Sequence, residues 1–327
     1  MQSLRFLIGA VSFVFASAVG AQTSGAQTYP ARPVKMVVPS TPGGSADVVA
    51  RALAQKLTEA WPQPVVVENR PGGGDIIGVD YAAKSPNDGY TLLLATNSVL
   101  VNTPHLVKMP FDVLKDLAPI AQVVTVPFTL VVHPSVPVQT VTELVAYAKA
   151  NPDKLNYGSS GNGTHQHLLG ELIKRSADIK MLHIPYKGSA ATVTDLLSGR
   201  VQVYAGVAGQ LNPHIKAGKL RALAIAGAAR RADSPEVPTV AETLPSFGTK
   251  LGDPWLGLFG PAGMPAAIVT KVNADTVRGL NVPEVKAALA PRGFDVATST
   301  PEALGATLRD DYANWGRIIR EAGIKAD

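Results

Sequence analysis

The chain has 327 residues, no cysteine and a formal net charge of +5. That length suffices for two domains with real cores, and the missing cysteine excludes a disulfide framework, a thiol nucleophile and thiolate metal sites. The basic excess is scattered, with no block beyond pairs such as Arg230-Arg231, so it lacks the clustered stripe that nucleic-acid binding requires but would attract anionic solutes.

The first segment reads as an address, not as structure. Arg5 precedes an apolar stretch at 6–19, and Val19-Gly20-Ala21 supplies small residues for cleavage after Ala21, with Ala26 as a second option. Residues 1–21 are therefore expected to be a secretory signal peptide. The competing reading, a membrane anchor, has only a short apolar run and no basic stop-transfer flank.

Apolar runs at 34–39, 64–69, 91–96, 128–134, 155–160, 201–207, 220–227 and 255–261 are the strand candidates. Several are apolar throughout, as parallel strands covered on both faces are. Between them, the segment 46–61 repeats Val49, Leu53 and Leu57 at helical spacing. The segment 140–152 opens with Thr140-x-x-Glu143, a capping box, and is stopped by Asn151-Pro152. The segment 164–176 places Leu168, Leu169, Leu172 and Ile173 on one face. Residues 232–238 read as a loop, and two helices are expected after the strand that begins at Trp255. The alternation predicts an α/β architecture with parallel sheets. No low-complexity linker separates the halves, so the chain is expected to cross between two lobes on strands, which permits hinge closure around a ligand.

Two glycine-rich turns run from a strand into a helix: Thr41-Pro42-Gly43-Gly44-Ser45-Ala46-Asp47 and Ser159-Ser160-Gly161-Asn162-Gly163-Thr164-His165. A helix N-terminus carries unpaired N–H groups and a positive dipole end, so it attracts an anion. Other chemistries are not readable. His165-x-His167 has no further ligands at metal-binding spacing, and a structural role is the alternative for both rings. Pro71-Gly72-Gly73-Gly74-Asp75 is not followed by Gly-Lys-Ser/Thr, so it is no P-loop. No G-x-S-x-G elbow is present.

The segments 29–51, 67–93, 110–123, 155–172, 184–203, 218–227, 299–304 and 315–327 carry, in order, YPARPVKMVVPSTPGGSADVVAR, VENRPGGGDIIGVDYAAKSPNDGYTLL, PFDVLKDLAPIAQV, LNYGSSGNGTHQHLLGEL, IPYKGSAATVTDLLSGRVQV, GKLRALAIAG, STPEAL and WGRIIREAGIKAD. In that order and spacing the chain resembles the periplasmic solute-binding proteins of tripartite tricarboxylate transporters, the Bug family, from about Tyr29 to Asp327. The resemblance implies a type II periplasmic binding-protein fold of the α/β class, with two lobes around a ligand cleft: 29–127 plus 254–327 as the first, 128–253 as the second. It implies a monomeric, non-catalytic carrier in the periplasm, without cofactor or metal, that holds a carboxylate by backbone amides, hydroxyls and water and delivers it to an inner-membrane permease. Two rivals remain: an exported α/β hydrolase, and a sensor feeding a signalling partner.

The matched motifs single out ligand-binding candidates, each with a plainer alternative. Gly43, Gly44 and Ser45 form the first anion nest, or else an ordinary turn with Ser45 as N-cap. Asp47 accepts a hydrogen bond from ligand, water or a facing N–H, or else pairs with Arg51 one turn on. Ala95, Thr96, Asn97 and Ser98 end a strand at the edge where α/β sheets bind ligands. Ser159, Ser160, Gly163 and Thr164 form the second nest, with Thr164 as an N-cap whose hydroxyl turns either to the ligand or to its own helix. Asp195 matches an acid characteristic of the family, or is a helix-surface carboxylate. Ser40 and Thr41 stand where many relatives have an aromatic residue before the first turn, which implies a roomier pocket. Many relatives also have proline where Ala191 stands, which leaves the start of that helix less defined. The expected ligand is a small dicarboxylate, with an aromatic diacid of the terephthalate type as the narrower expectation.

Overall fold

The computed structural model describes residues 29–227, 229–231, 234–247 and 253–325. The expected signal peptide at 1–21 and positions 232 and 233 of the expected loop lie outside them. The strands are β1 (Val34–Val38), β2 (Val65–Asn69), β3 (Thr91–Thr96), β4 (Leu117–Thr125), β5 (Phe128–Val132), β6 (Asn156–Ser159), β7 (Leu182–Pro185), β8 (Val203–Val207), β9 (Arg221–Ala226), β10 (Trp255–Pro261) and β11 (Asp295–Val296), all but β4, β7 and β11 arising from the expected apolar runs. They form two sheets, ordered β11-β4-β10-β3-β1-β2 and β7-β6-β8-β5-β9. Helices follow as α1 (Ser45–Ala60), α2 (Ile76–Ala83), α3 (Val141–Ala150), α4 (His165–Ala177), α5 (Ser189–Leu197), α6 (Ala208–Lys216), α7 (Val240–Thr243), α8 (Ala266–Leu280), α9 (Pro283–Leu289) and α10 (Pro301–Ala322).

The expectation of parallel sheets needs correcting: each sheet is mixed. β1 pairs parallel with β2 and β3, and β6 with β7 and β8. β10 runs antiparallel to β3 and β4, and β5 antiparallel to β8 and β9. β5 and β10 are entered where the chain passes from one sheet to the other, and β11 adds a further antiparallel pair with β4. Three α-helices, not two, follow β10. β4 was absent from the strand candidates because Pro119 interrupts its apolar pattern; the ladder absorbs it with register shifts against β10. The capping box of α3 is half formed. Thr140 accepts from the Glu143 N–H at 3.1 Å, but the Glu143 carboxylate accepts from the Gln139 N–H, one residue earlier than the motif requires.

α1 shows how the pattern becomes a core. Val49, Leu53 and Leu57 are fully buried in one cluster with Val34, Met36 and Val38 of β1. α4 departs from its expected single apolar face. Leu169 and Ile173 join that same cluster, while Leu168 and Leu172 pack into a second one with Trp255 and Trp315. This helix therefore belongs to two cores.

The crossings position everything else. β4 continues into β5 through Val126-Pro127, and β9 returns to β10. The Val126 N–H donates to the Pro254 carbonyl at 2.6 Å, tying the two crossings together. Trp255 pairs with Thr125 and Leu256 with Thr96, so the crossings leave the first sheet at the edge where β3 ends. Phe128 pairs with Val207 and Ala226, so they enter the second sheet at the edge where β8 ends. The C-terminal edges of the two sets of parallel strands thus meet at the crossings.

Gly78 of α2 seats that helix against the end of β1. A Cβ there would lie 2.7 Å from Pro39 Cα and Cβ and 2.8 Å from the Arg70 carbonyl oxygen. Backbone cannot give way as a side chain can. Alanine gains about 0.5–1 kcal/mol of helix propensity, but overpacking costs about 1–3 kcal/mol. Gly78→Ala is expected to lower the urea midpoint at unchanged slope.

Candidate ligand cleft

The two glycine turns share one local geometry. Gly43 and Gly163 take φ of +80° and +74°, values that favour glycine. The next residues, Gly44 and Thr164, are the N-caps of α1 and α4, with φ, ψ of −70°, 169° and −70°, 159°. The Gly43 N–H donates to Asp47 Oδ2 at 2.9 Å, and the Gly163 N–H donates to His167 Nδ1 at 3.1 Å. In both, a side chain in the helix's first turn holds the residue before the cap. The cap N–H groups turn back to the Thr41 and Gly161 carbonyls.

Ser45 is accordingly the first helical residue and not the N-cap. Thr164 is the cap, but its hydroxyl donates to the Gly161 carbonyl at 2.7 Å instead of capping the helix. Neither cap closes its helix with a side chain. The N–H groups of residues 45–47, and of 165 and 166, therefore have no intrahelical acceptor and no side-chain cap among the described residues.

The first turn is braced from below. The Asp47 carboxylate is buried, and accepts from the Gly43 N–H, from Arg51 Nε at 2.9 Å and from Asn69 Nδ2 at 3.0 Å. Burial alone would raise its pKa; Arg51, Gly43 and Asn69 together hold it below the usual carboxylate range. Ser40 Oγ is buried without a hydrogen-bond partner among the described residues, 3.6 Å from where a Cβ on Gly44 would lie. Thr41 is exposed. Ala95 is fully buried within β3 and Thr96 ends the strand. Asn97 follows, and Ser98 opens a π-helical turn, Ser98–Asn102. Such turns recur at functional sites.

The second turn rests on a stack. Ser159 is fully buried, its hydroxyl between His183 Nε2 at 2.7 Å and the Gly161 carbonyl at 3.0 Å. The Ser160 hydroxyl donates to Gln166 Oε1 at 3.0 Å. The His167 ring stacks on His183 at 4.1 Å, and His183 on Tyr157 at 4.8 Å. Asp195 lies behind the turn, accepting from the Tyr186 hydroxyl at 2.8 Å and Arg200 at 3.0 Å. Burial, then Asp195, pushes the Tyr186 hydroxyl up to about 12. The Tyr186 N–H in turn donates to the Ser159 carbonyl. The Ser160 hydroxyl is thus committed to Gln166, and His167 Nδ1 to the Gly163 N–H.

The halves touch at residues the sequence reading did not select. Asn102 Nδ2 lies 3.2 Å from His165 Nδ1, joining the π-turn after β3 to the start of α4. The His165 ring packs edge-on against Trp315 at 4.9 Å and Phe128 at 6.4 Å. A Cβ on Gly163 would lie 2.7 Å from Leu106 Cδ1. Asn102 and His165 are 63 residues apart, so no local pattern could pair them; the repeated spacing of glycine and acceptor, Gly43 to Asp47 and Gly163 to His167, was legible. A separate cavity of about 850 Å³ beside the crossings is lined by Pro127, Lys216, Arg231 and Asp295 among others, and by none of the candidate residues.

A model of the family described as tripartite tricarboxylate transporter family receptor matches residues 49–324. The chain is 38% identical over 328 residues to Protein BugT of Bordetella pertussis, covering 99% of each. The solved structure of periplasmic binding protein BugD superposes with a TM-score of 0.79 at 32% identity, covering 91% of this chain and 100% of that one. The structure of R. palustris Rpa4515 with adipate gives 0.81 at 33% identity, with the same coverage.

Burial pushes the His165 imidazole down to about 3. An unfolded chain protonates it near 6.5, so the stabilising effect of the neutral ring is complete above that pH and is lost progressively as pH falls toward 3. Between about pH 6 and 4, the wild type is expected to lose about 1.4 kcal/mol per pH unit relative to His165→Gln. Denaturant unfolding at several pH values measures this, and parallel profiles would contradict it.

Proposed function

The chain belongs to the tripartite tricarboxylate transporter receptor family of periplasmic solute-binding proteins, and we propose that it captures a small organic dicarboxylate and presents it to a membrane permease. The observation that carries this reading is the doubled turn. Two helices begin with open N–H groups at the meeting edges of two sheets, and each open end is a site for one carboxylate. The candidate residues include no lysine or arginine. Burying a dianion without a countercharge is costly unless many donors replace its water. The first-turn N–H groups, with the hydroxyls of Ser40, Thr41, Ser45 and Ser98, are that supply.

The lobes of this reading are 29–127 with 254–327, and 128–253, divided at the two crossings, and closure between them buries the ligand. The chain works as a monomer, exported by residues 1–21. The adipate held by a relative supports a diacid. The narrower proposal is an aromatic diacid such as terephthalate, with its ring beside Ser40 and Thr41. The small side chains, and the buried Ser40 hydroxyl awaiting a partner, support it.

Calorimetric titration with mono- and dicarboxylates tests both levels. Binding of diacids over monoacids is expected, with terephthalate among the tightest. Tight binding of citrate or aspartate with none of any aromatic diacid would remove the narrower proposal, and no binding of any diacid would remove the broader one. Gly163→Ala forces an L residue into a left-handed conformation and pushes a methyl toward Leu106. It is expected to weaken diacid binding at least about tenfold, roughly 1.4 kcal/mol, with the far-UV circular dichroism unchanged.

A further inference from the structure

We propose that the cavity beside the two crossings is a second binding site, separate from the cleft, and that it takes a small organic anion with an apolar body. None of the residues assigned to the cleft lines it, so it stands apart from the diacid reading. Its volume of about 850 Å³ falls in the range of pockets for small organic molecules and is far more than an inorganic ion fills.

The walls are set by backbone. The start of α6 lies so close to the turn Ala290–Arg292 that a Cβ on Gly209 would overlap the Arg292 carbonyl carbon and the Gly293 nitrogen. Gly293 itself takes a φ of +83°, a left-handed backbone that glycine permits. The Ala208 N–H donates to the Pro127 carbonyl at 3.3 Å, joining α6 to the first crossing. Pro127, Pro213, Pro291 and Ala229 give the lining its apolar part. Proline and alanine side chains have no reach with which to fill the space between them.

The polar part of the lining offers mainly donors. Its acids are Asp253 and Asp295, and both are engaged: Asp295 accepts from Arg231 Nη1 at 2.7 Å, and Asp253 has a partner of its own. Arg230 holds Glu242 through Nε and Nη2 and the Pro235 carbonyl through Nη1. A guanidinium carries five N–H groups, so Arg230 keeps an N–H on each Nη atom without an acceptor among the described residues. Lys216 pairs with no carboxylate, and the Asn212 amide makes no hydrogen bond, among the described residues. Asn212 and Lys216 stand one turn apart on α6, on the same side of the helix. A cation here would meet Lys216 and Arg230 with like charge. A neutral apolar molecule would leave their N–H groups unused. An oxyanion head accepts from Lys216, Asn212 and Arg230 by charge-assisted hydrogen bonds, while an apolar body covers the prolines and Ala229.

Calorimetric titration of the full chain with phenyl phosphate, inorganic phosphate and phenol tests both halves of this recognition. Phenyl phosphate is expected to bind with a Kd of about 1 mM or tighter, and phosphate and phenol each at least about tenfold more weakly. Lys216→Glu and, independently, Arg230→Gln are expected to weaken phenyl phosphate at least about fivefold, roughly 1 kcal/mol, with the far-UV circular dichroism unchanged. No binding of phenyl phosphate overturns the proposal. Phosphate or phenol binding as tightly as phenyl phosphate overturns it too, since one half of the recognition is then idle. An affinity for phenyl phosphate that Lys216→Glu leaves unchanged seats the probe elsewhere, the cleft included, and also overturns it. Lys216 is exposed, so that variant decides even if Arg230→Gln folds poorly. None of these outcomes bears on the diacid reading.

Discussion

Everything at the cleft depends on one hydrogen bond made twice: a glycine N–H held by a side chain four residues later. Gly43 is held by Asp47 and Gly163 by His167. An N–H in this position would otherwise compete for whatever the helix end binds, and a free loop would wander over it. Tying it back fixes the turn and leaves the next N–H groups pointing along the helix axis without a cap. The two acceptors are not equivalent electrically. Asp47 brings a negative charge into the first turn of α1, where it already satisfies part of the helix dipole, and needs Arg51 beside it to remain compatible with an anion. His167 brings an imidazole nitrogen in place of a carboxylate, and the first turn of α4 carries no acidic residue.

The second constraint is topological. Strands β10 and β5 run antiparallel to their neighbours where the chain passes from one sheet to the other. Their register brings Thr96 beside Leu256, and Phe128 beside Val207. Both C-terminal edges are thereby turned toward each other, which is where open α/β sheets place their ligands. A wholly parallel pair of sheets would have left the crossings to long loops.

Much of this was legible in the sequence, and the failures have physical causes. Runs such as 91–96 announced themselves because a strand covered on both faces must be apolar throughout. β4 hid behind Pro119. β7 hid because it is a four-residue edge strand whose first residue, Leu182, is 61% exposed. The glycine turns were readable as turns, since a left-handed backbone requires glycine. Which atoms fill them was not. Ser45 sits one residue beyond the N-cap that propensity assigned it, while Thr164 holds the N-cap as expected with its hydroxyl turned to the Gly161 carbonyl. Asn102 and His165 could not be paired by any spacing rule, as their contact exists only once two sheets have met.

The divided loyalty of α4 has a consequence for movement. Leu169 and Ile173 anchor it to one cluster, while Leu168 and Leu172 lie against Trp255 and Trp315 in the other. A motion that drew α4 away from α10 would wet two leucines and part of a tryptophan, at a cost of several kcal/mol and with a positive heat-capacity change. A rotation that keeps α4 seated exposes almost none of that surface. In the closure proposed above, α4 would serve as a third pivot beside the two crossings, and opening about it would carry only a small heat-capacity change.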